Sequence, residues 1–214
     1  MSLQPTETTE PLLRALDLEC LRGDNLLFEA LSFVLHGGQL LQIEGANGSG
    51  KTSLLRILAG LSRASAGTVL WRGVDIEERR ADYFSAMAYL GHALGIKGEL
   101  SALENLKVAL ALSGVAYTPA TLYEALARTG LEGREHIPAR ALSAGQKQRV
   151  AMARLLACPA RLWIMDEPYT ALDVDGIALL RELLEAHLAQ GGLVVLTSHQ
   201  AVEVRGDVVK LRLS

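Results

Sequence analysis

The chain has 214 residues, half of them hydrophobic, and its 21 basic and 24 acidic residues give a formal net charge of −3. This length predicts one domain, or one domain with a modest insertion, and the apolar content excludes low-complexity disorder. The nearly balanced charge argues against a protein that mainly grips nucleic acid, and two widely separated cysteines, Cys20 and Cys158, exclude a disulfide scaffold.

No apolar segment reaches the roughly 20 residues that a membrane-spanning helix needs. The longest mild candidate runs only from Val108 to Ala116. The first ten residues are polar and acidic, without the basic region and apolar core of a secretory signal, and they predict a flexible tail. We therefore expect a chain that stays inside the cell and reaches a membrane only through a partner.

The first third of the chain shows mainly strand patterns. Alternating apolar positions predict a strand over residues 12–21, with Leu12, Arg14, Leu16 and Leu18 on one side. Further strands are predicted over 31–35, 39–44, 68–71 and 87–90, and the leucine spacing predicts a helix over 51–61.

The middle third is more helical. Ser101 and Glu104 form a capping-box pattern before a helix that should run to about Leu112. Thr118 and Pro119 open a second helix, and a third is predicted over 143–158. We expect one domain over residues 11–214, with a helical subdomain at roughly 93–158 inserted into it.

The last third alternates between strand and helix. Strands are predicted over 162–165, 193–197 and 208–213, and a helix over 173–190. Such alternation predicts an α/β fold in which helices cover the faces of a parallel sheet.

A phosphate-binding pattern lies between a predicted strand and a predicted helix. Residues 45–52, GANGSGKT, match GxxxxGK[ST], whose glycines let backbone N–H groups approach phosphate oxygens. Lys51 is expected on the β- and γ-phosphates and Thr52 on Mg²⁺, whereas the alternative is a glycine-rich turn with a surface lysine. The predicted nucleotide contacts are Gly45, Asn47, Gly48, Ser49, Gly50, Lys51, Thr52 and Ser53.

Two carboxylates follow an apolar strand more than a hundred residues later. Asp166 and Glu167 end the run from Leu162 to Met165, and ligands bind at the carboxyl ends of parallel strands. We predict that Asp166 orients Mg²⁺ through water and that Glu167 acts as the general base on the attacking water. A strand that ends in a solvated acidic turn is the alternative.

Residues 142–146, LSAGQ, open a predicted helix about twenty residues before Asp166. Here the sequence resembles the ATP-binding-cassette (ABC) family, whose signature usually reads LSGGQ. The resemblance implies a P-loop NTPase, an ABC-type nucleotide-binding domain with a mixed sheet, N-terminal antiparallel strands and a helical subdomain. It also implies a head-to-tail homodimer in which Ser143 and Gly145 face the ATP of the other subunit. An ordinary Ser-capped helix is the alternative for this motif.

Other family motifs lie in register. The segment ending at Asp173 resembles the D-loop, and His199 holds the switch-histidine position, where the imidazole would contact the γ-phosphate and the attacking water. Arg22 replaces the usual adenine-stacking aromatic and is either a stacking guanidinium or a turn arginine. His92 replaces a glutamine, which puts its contact with Mg²⁺ in doubt and could add pH sensitivity.

Longer stretches, including IEGANGSGKTSLLRILAGL and WIMDEPYTALDVDG, resemble one branch of the family, the ATPases of bacterial cytochrome c maturation. The resemblance implies integral membrane partners, a peripheral position on the cytoplasmic face of the inner membrane, and ATP hydrolysis that drives haem export or releases a haem-loaded chaperone. We expect no direct haem binding, because there is no CxxCH motif or obvious axial-ligand pair, and no nucleic acid. The alternatives are another exporter ATPase, or a soluble ABC protein acting on ribosomes or DNA. A P-loop kinase would have no use for LSAGQ.

Overall fold

Two β-sheets and six α-helices make up the computed structural model, which describes residues 10–198 and 200–213. The strands are β1 (Leu13–Arg22), β2 (Asn25–Leu35), β3 (Gln39–Glu44), β4 (Ala66–Trp71), β5 (Val74–Asp75), β6 (Met87–Leu90), β7 (Leu162–Asp166), β8 (Leu193–Thr197) and β9 (Asp207–Arg212). The helices are α1 (Lys51–Leu58), α2 (Arg80–Ala86), α3 (Ala102–Leu112), α4 (Pro119–Arg128), α5 (Ala144–Ala157) and α6 (Val174–Ala189), with a 3₁₀ turn at Ala139–Ala141.

The smaller sheet is antiparallel, in the order β2-β1-β4-β5. The register of β1 shifts against both neighbours near Asp17, which has a left-handed φ of 47°. An irregularity of this kind changes which alternate residues face the core. Leu13 and Ala15 are buried before it, and Leu18 is buried after it. The expectation that Leu12, Arg14, Leu16 and Leu18 share one side is therefore wrong, and Leu16 is 40% exposed.

The larger sheet is parallel, in the order β6-β7-β8-β3-β9. Every residue of β7 and β8 is buried because helices cover both faces. On one face α1 and the antiparallel sheet pack against Ile164 and Val195. On the other face α5 and α6 pack against Trp163 and Val194. The predicted α/β architecture is confirmed, and the carboxyl ends of β3 and β7 meet at one edge.

A third apolar cluster lies among α3, α4 and α5, around Leu106, Leu126 and Val150. The predicted capping box is present, since Ser101 Oγ accepts from Glu104 N and Glu104 Oε2 accepts from Ser101 N. Hydrogen bonds from Ser101 lower the pKa of Glu104, so the Glu104 carboxylate stays charged. We propose residues 93–158 as the extent of this helical subdomain.

Some boundaries differ from the expected ones. Strand β2 starts at Asn25 rather than at Leu31, and α1 ends at Leu58 because Gly60, at φ 65°, turns the chain away. Strand β5 and helix α2 were not expected. Residues 1–9 of the predicted tail lie outside the described residues.

Within residues 10–198 and 200–213, no helix has the length and apolarity that crossing a bilayer requires.

Candidate nucleotide-binding site

The loop between β3 and α1 has the geometry of an anion site. Gly50 precedes α1 at φ 95°, a left-handed conformation that glycine adopts without strain. A Cβ on Gly45 would lie 2.5 Å from Ser49 Oγ, so the loop closes only around glycine. The buried Lys51 bends back over the loop, and its Nζ donates to Gly45 O at 2.8 Å and Ala46 O at 3.0 Å. Phosphate oxygens are stronger acceptors for an ammonium group than these carbonyls.

Asp166 ends β7 beside the first turn of α1. Its Oδ2 accepts from Thr52 Oγ1 at 3.0 Å, and its Oδ1 accepts from Thr197 Oγ1 at 2.8 Å. Asp166 is only 5% exposed, and the two hydroxyl groups hold its carboxylate in one orientation.

The oxygen pair of Thr52 and Asp166 fits Mg²⁺ rather than a metal held in a protein cage. Both are hard oxygen donors, which Mg²⁺ prefers. No group of three or more His, Cys, Asp or Glu residues in the described parts of the chain could hold a metal ion. Mg²⁺ commonly takes one or two protein ligands and completes its shell with water and substrate phosphates.

Glu167 follows directly and has a left-handed φ of 51°. Its backbone N–H donates to Thr197 Oγ1 at 2.9 Å. Left-handed backbone is uncommon for a residue with a long side chain, and such conformations cluster at functional sites.

A cavity of about 460 Å³ joins the loop and the two carboxylates. Arg22 does not line it, and its adenine-stacking role stays a prediction. Sequence reasoning missed Leu27 of β2, which stands at the wall and carries no motif signal. The lining residues are Leu27, Asn47, Gly48, Gly50, Lys51, Thr52, Ser53, His92, Asp166 and Glu167.

The signature residues lie outside this cavity. Ser143 caps α5, because its Oγ accepts from Gln146 N at 3.2 Å while Gln146 Oε1 accepts from Ser143 N at 2.9 Å. A Cβ on Gly145 would lie 3.0 Å from Ala171 O, so the start of α5 touches the segment before α6.

Asp173, just before α6, also contacts the signature helix α5. Its Oδ1 accepts from Gly176 N at 2.8 Å, which caps α6, and from Arg149 Nη2 at 3.2 Å. The Gly176 N–H is the main cause that lowers the pKa of Asp173, and Arg149 adds to it. The signature helix and the predicted D-loop thus form one surface of the chain.

Two buried glutamines that sequence reasoning missed hold the loops around the site. Gln148 of α5 donates from Nε2 to Pro168 O, directly after Glu167, at 2.9 Å. Gln42 of β3 donates from Nε2 to Gln200 O at 2.9 Å. The predicted switch residue, His199, lies outside the described residues.

Residues 28–170 match the family model described as ABC transporter. A protein from Methylococcus capsulatus, named cytochrome c biogenesis ATP-binding export protein CcmA, is 63% identical over 92% of this chain and 95% of its own length. A protein of the same name from Nitrosospira multiformis is 48% identical over 94% and 97%. Among solved structures, an ATP-binding subunit of an ABC transporter superposes with a TM-score of 0.81 at 26% identity, covering 94% of this chain and 88% of that one.

Proposed function

This chain belongs to the ABC transporter family, and we propose that it is the ATP-hydrolysing subunit of a membrane complex for cytochrome c biogenesis. The convergence of Lys51, Thr52, Asp166 and Glu167 on one cavity is the observation that carries the ATPase activity. The names of the relatives from Methylococcus and Nitrosospira support the biogenesis role. Neither another exporter nor a soluble ABC protein on ribosomes or DNA has comparable support.

ATP binds with its phosphates in the loop 45–52. Lys51 exchanges its two carbonyl acceptors for phosphate oxygens, and the loop N–H groups with the start of α1 add further donors. Mg²⁺, when bound, neutralises charge on the phosphates, and Thr52 and Asp166 are the residues that would hold it. The Thr52 hydroxyl would offer a lone pair to the metal while its hydrogen still donates to Asp166.

Glu167 takes a proton from the attacking water, as a general base requires. His199 is assigned to the γ-phosphate and the same water by family resemblance alone. His92 lines the cavity as well, so an imidazole is available where the family has a glutamine.

The active unit is a head-to-tail homodimer. Ser143, Gly145 and Asp173 share one surface, yet they lie outside the cavity that contains Lys51 of their own chain. A second copy that turns this surface toward the cavity would complete each site. Nucleotide phosphates would then bridge the two chains, and hydrolysis would weaken the bridge and reopen the dimer.

The membrane subunits contact the chain beside His92. A groove of about 340 Å³ lies beside it, and the exposed Leu112 of α3 is part of its lining. From the segment after β6, the groove is lined by Gly91, Ala93, Leu94, Gly95 and Lys97. His92 lines the nucleotide cavity while its neighbours Gly91 and Ala93 line the groove. Movement of this segment would link hydrolysis to haem export or to release of a haem-loaded chaperone. The chain would be peripheral, on the cytoplasmic face of the bacterial inner membrane.

Co-purification of the tagged chain from native membranes in mild detergent tests this proposal. We expect integral membrane proteins that handle haem to be recovered, together with ATP hydrolysis that the Glu167→Gln variant lacks. That variant also controls for contaminating ATPases. Recovery of an unrelated permease would contradict the role in cytochrome c biogenesis but not the ATPase assignment. Recovery with ribosomes would contradict the proposed membrane complex.

A further inference from the structure

One hydroxyl group touches both carboxylate residues of the site. Thr197 Oγ1 donates to Asp166 Oδ1 at 2.8 Å and accepts from Glu167 N at 2.9 Å. Thr197 is the last residue of β8 and pairs directly with Asp166 of β7 in the parallel register. Its side chain is fully buried, so water does not compete for either hydrogen bond.

These two bonds have different effects. The bond to Oδ1 fixes the plane of the Asp166 carboxylate, which leaves Oδ2 directed at Thr52. The bond from the amide holds Glu167 at its left-handed φ of 51°, a conformation that persists only when its surroundings enforce it. Without that acceptor, the backbone of Glu167 is free to relax toward the extended region. Relaxation would carry the carboxylate away from the cavity.

We propose that Thr197 is a positioning residue for ATP hydrolysis, in which one hydroxyl sets Asp166 and Glu167 relative to each other. It does not line the nucleotide cavity, and it acts through the Asp166 carboxylate and the Glu167 backbone. The inference rests on the roles of Asp166 and Glu167 proposed above. It extends them to a residue outside every motif that the sequence shows.

If the Thr197 hydroxyl had only a structural role, its removal would have a different effect on turnover. A buried hydroxyl that only satisfies its neighbours would lower stability when it is removed, and nucleotide turnover would fall only as far as the folded fraction falls. A positioning role predicts a loss in kcat for protein that remains folded, since small displacements of reacting groups cost up to about 10²-fold in rate.

The experiment uses the purified membrane complex and measures kcat and KM for ATP, with thermal unfolding followed in parallel. Thr197→Val keeps the side-chain shape and removes the hydroxyl, whereas Thr197→Ser keeps the hydroxyl. Thr129→Val is the matched control. Thr129 is equally buried, and its hydroxyl bonds to the carbonyls of Ala125 and Leu126 in the helical subdomain.

We expect Thr197→Val to lower kcat by about 10- to 100-fold while KM stays within about threefold. Thr197→Ser should restore kcat to within about threefold of the unmodified protein, and Thr129→Val should leave it unchanged. Binding of ATP without Mg²⁺, measured by calorimetry, should be the same in all variants. If Thr197→Val does not fold, Thr197→Cys, whose thiol is a weak donor and a weak acceptor, takes its place in the comparison with Thr197→Ser.

Folded Thr197→Val protein with unchanged kcat would overturn the proposal, and so would Thr197→Ser that folds but stays as slow as the valine variant. Glu167→Gln separates this failure from failure of the proposed function. If Glu167→Gln turns over normally, the general-base assignment is wrong. If it is inactive while Thr197→Val is fully active, only the role of Thr197 is wrong.

Discussion

The side-chain amide of Gln148 donates a hydrogen bond of 2.9 Å to the backbone carbonyl of Pro168, and both groups are buried. Through this contact, the helix that begins at the signature is fixed to the residue directly after Glu167. This hydrogen bond therefore joins α5 directly to the loop that carries Glu167.

Replacing Gln148 by Leu should destabilise the fold and slow hydrolysis together. The Pro168 carbonyl would stay buried without a donor, which costs about 1–3 kcal/mol in the free energy of unfolding. The turn at Glu167 would also lose an anchor, so we expect kcat to fall by about tenfold. Urea unfolding and steady-state ATPase assays measure the two effects. Thr129→Val is the control, because it removes buried hydrogen bonds within the helical subdomain rather than at Pro168.

Glu167→Gln should keep nucleotide affinity and lose turnover. The amide has the same shape but cannot accept the proton of the attacking water, so hydrolysis should drop by at least about 10²-fold. Glu182→Gln, at an exposed position on α6, is the control and should turn over normally. Unchanged hydrolysis in the Glu167 variant would remove it from the mechanism.

Ser143→Arg should block dimer closure. The larger cationic side chain would occupy the surface that we propose faces the nucleotide of the second copy. In a Glu167→Gln background, ATP should drive dimerisation of the parent and not of the double variant, as size-exclusion chromatography would show.

The matched control for Ser143→Arg is Thr118→Arg. Thr118 also caps a helix through its hydroxyl, so both variants lose a cap worth about 1 kcal/mol. Only the Ser143 variant should lose dimerisation. A dimer that still forms with Arg at 143 would contradict the head-to-tail arrangement.

Features specified by neighbouring residues could be predicted from the sequence. The phosphate loop and the caps at Ser101 and Ser143 depend on residues within one turn, and the structure has each loop and cap where the spacing indicates. The apolar runs of β7 and β8 could also be predicted, because strands buried on both faces show no apolar–polar alternation.

Features specified by distant residues could not be predicted. The phase of β1 depends on the irregularity at Asp17, which forms only against β2 and β4. Helix α2 buries one side chain, Tyr83, within a charged stretch. Its sequence therefore lacks the apolar periodicity that predicts a helix. The contact of Thr197 with Asp166 joins residues 31 apart in sequence, and only strand pairing brings them together.

A stacked pair behind the sheet predicts a pH dependence. The rings of Trp163 and His187 lie 3.9 Å apart between centroids and 8° from parallel, and His187 Nε2 is 3.2 Å from Arg161 O. Burial lowers the pKa of His187, and the nearby Arg161 guanidinium lowers it further against hydrogen bonds that raise it. The folded state therefore favours the neutral imidazole.

The stability that this neutral histidine contributes should be complete above its unfolded pKa of about 6.5 and should be lost as pH falls toward its lower folded pKa. We expect the melting temperature to fall between about pH 7 and pH 5, and to fall less in His187→Gln, whose amide does not titrate. Every other titrating group is common to both proteins, so the difference between the two melting curves isolates His187. Parallel pH profiles for the two proteins would mean that the imidazole is protonated as easily in the fold as in the unfolded chain.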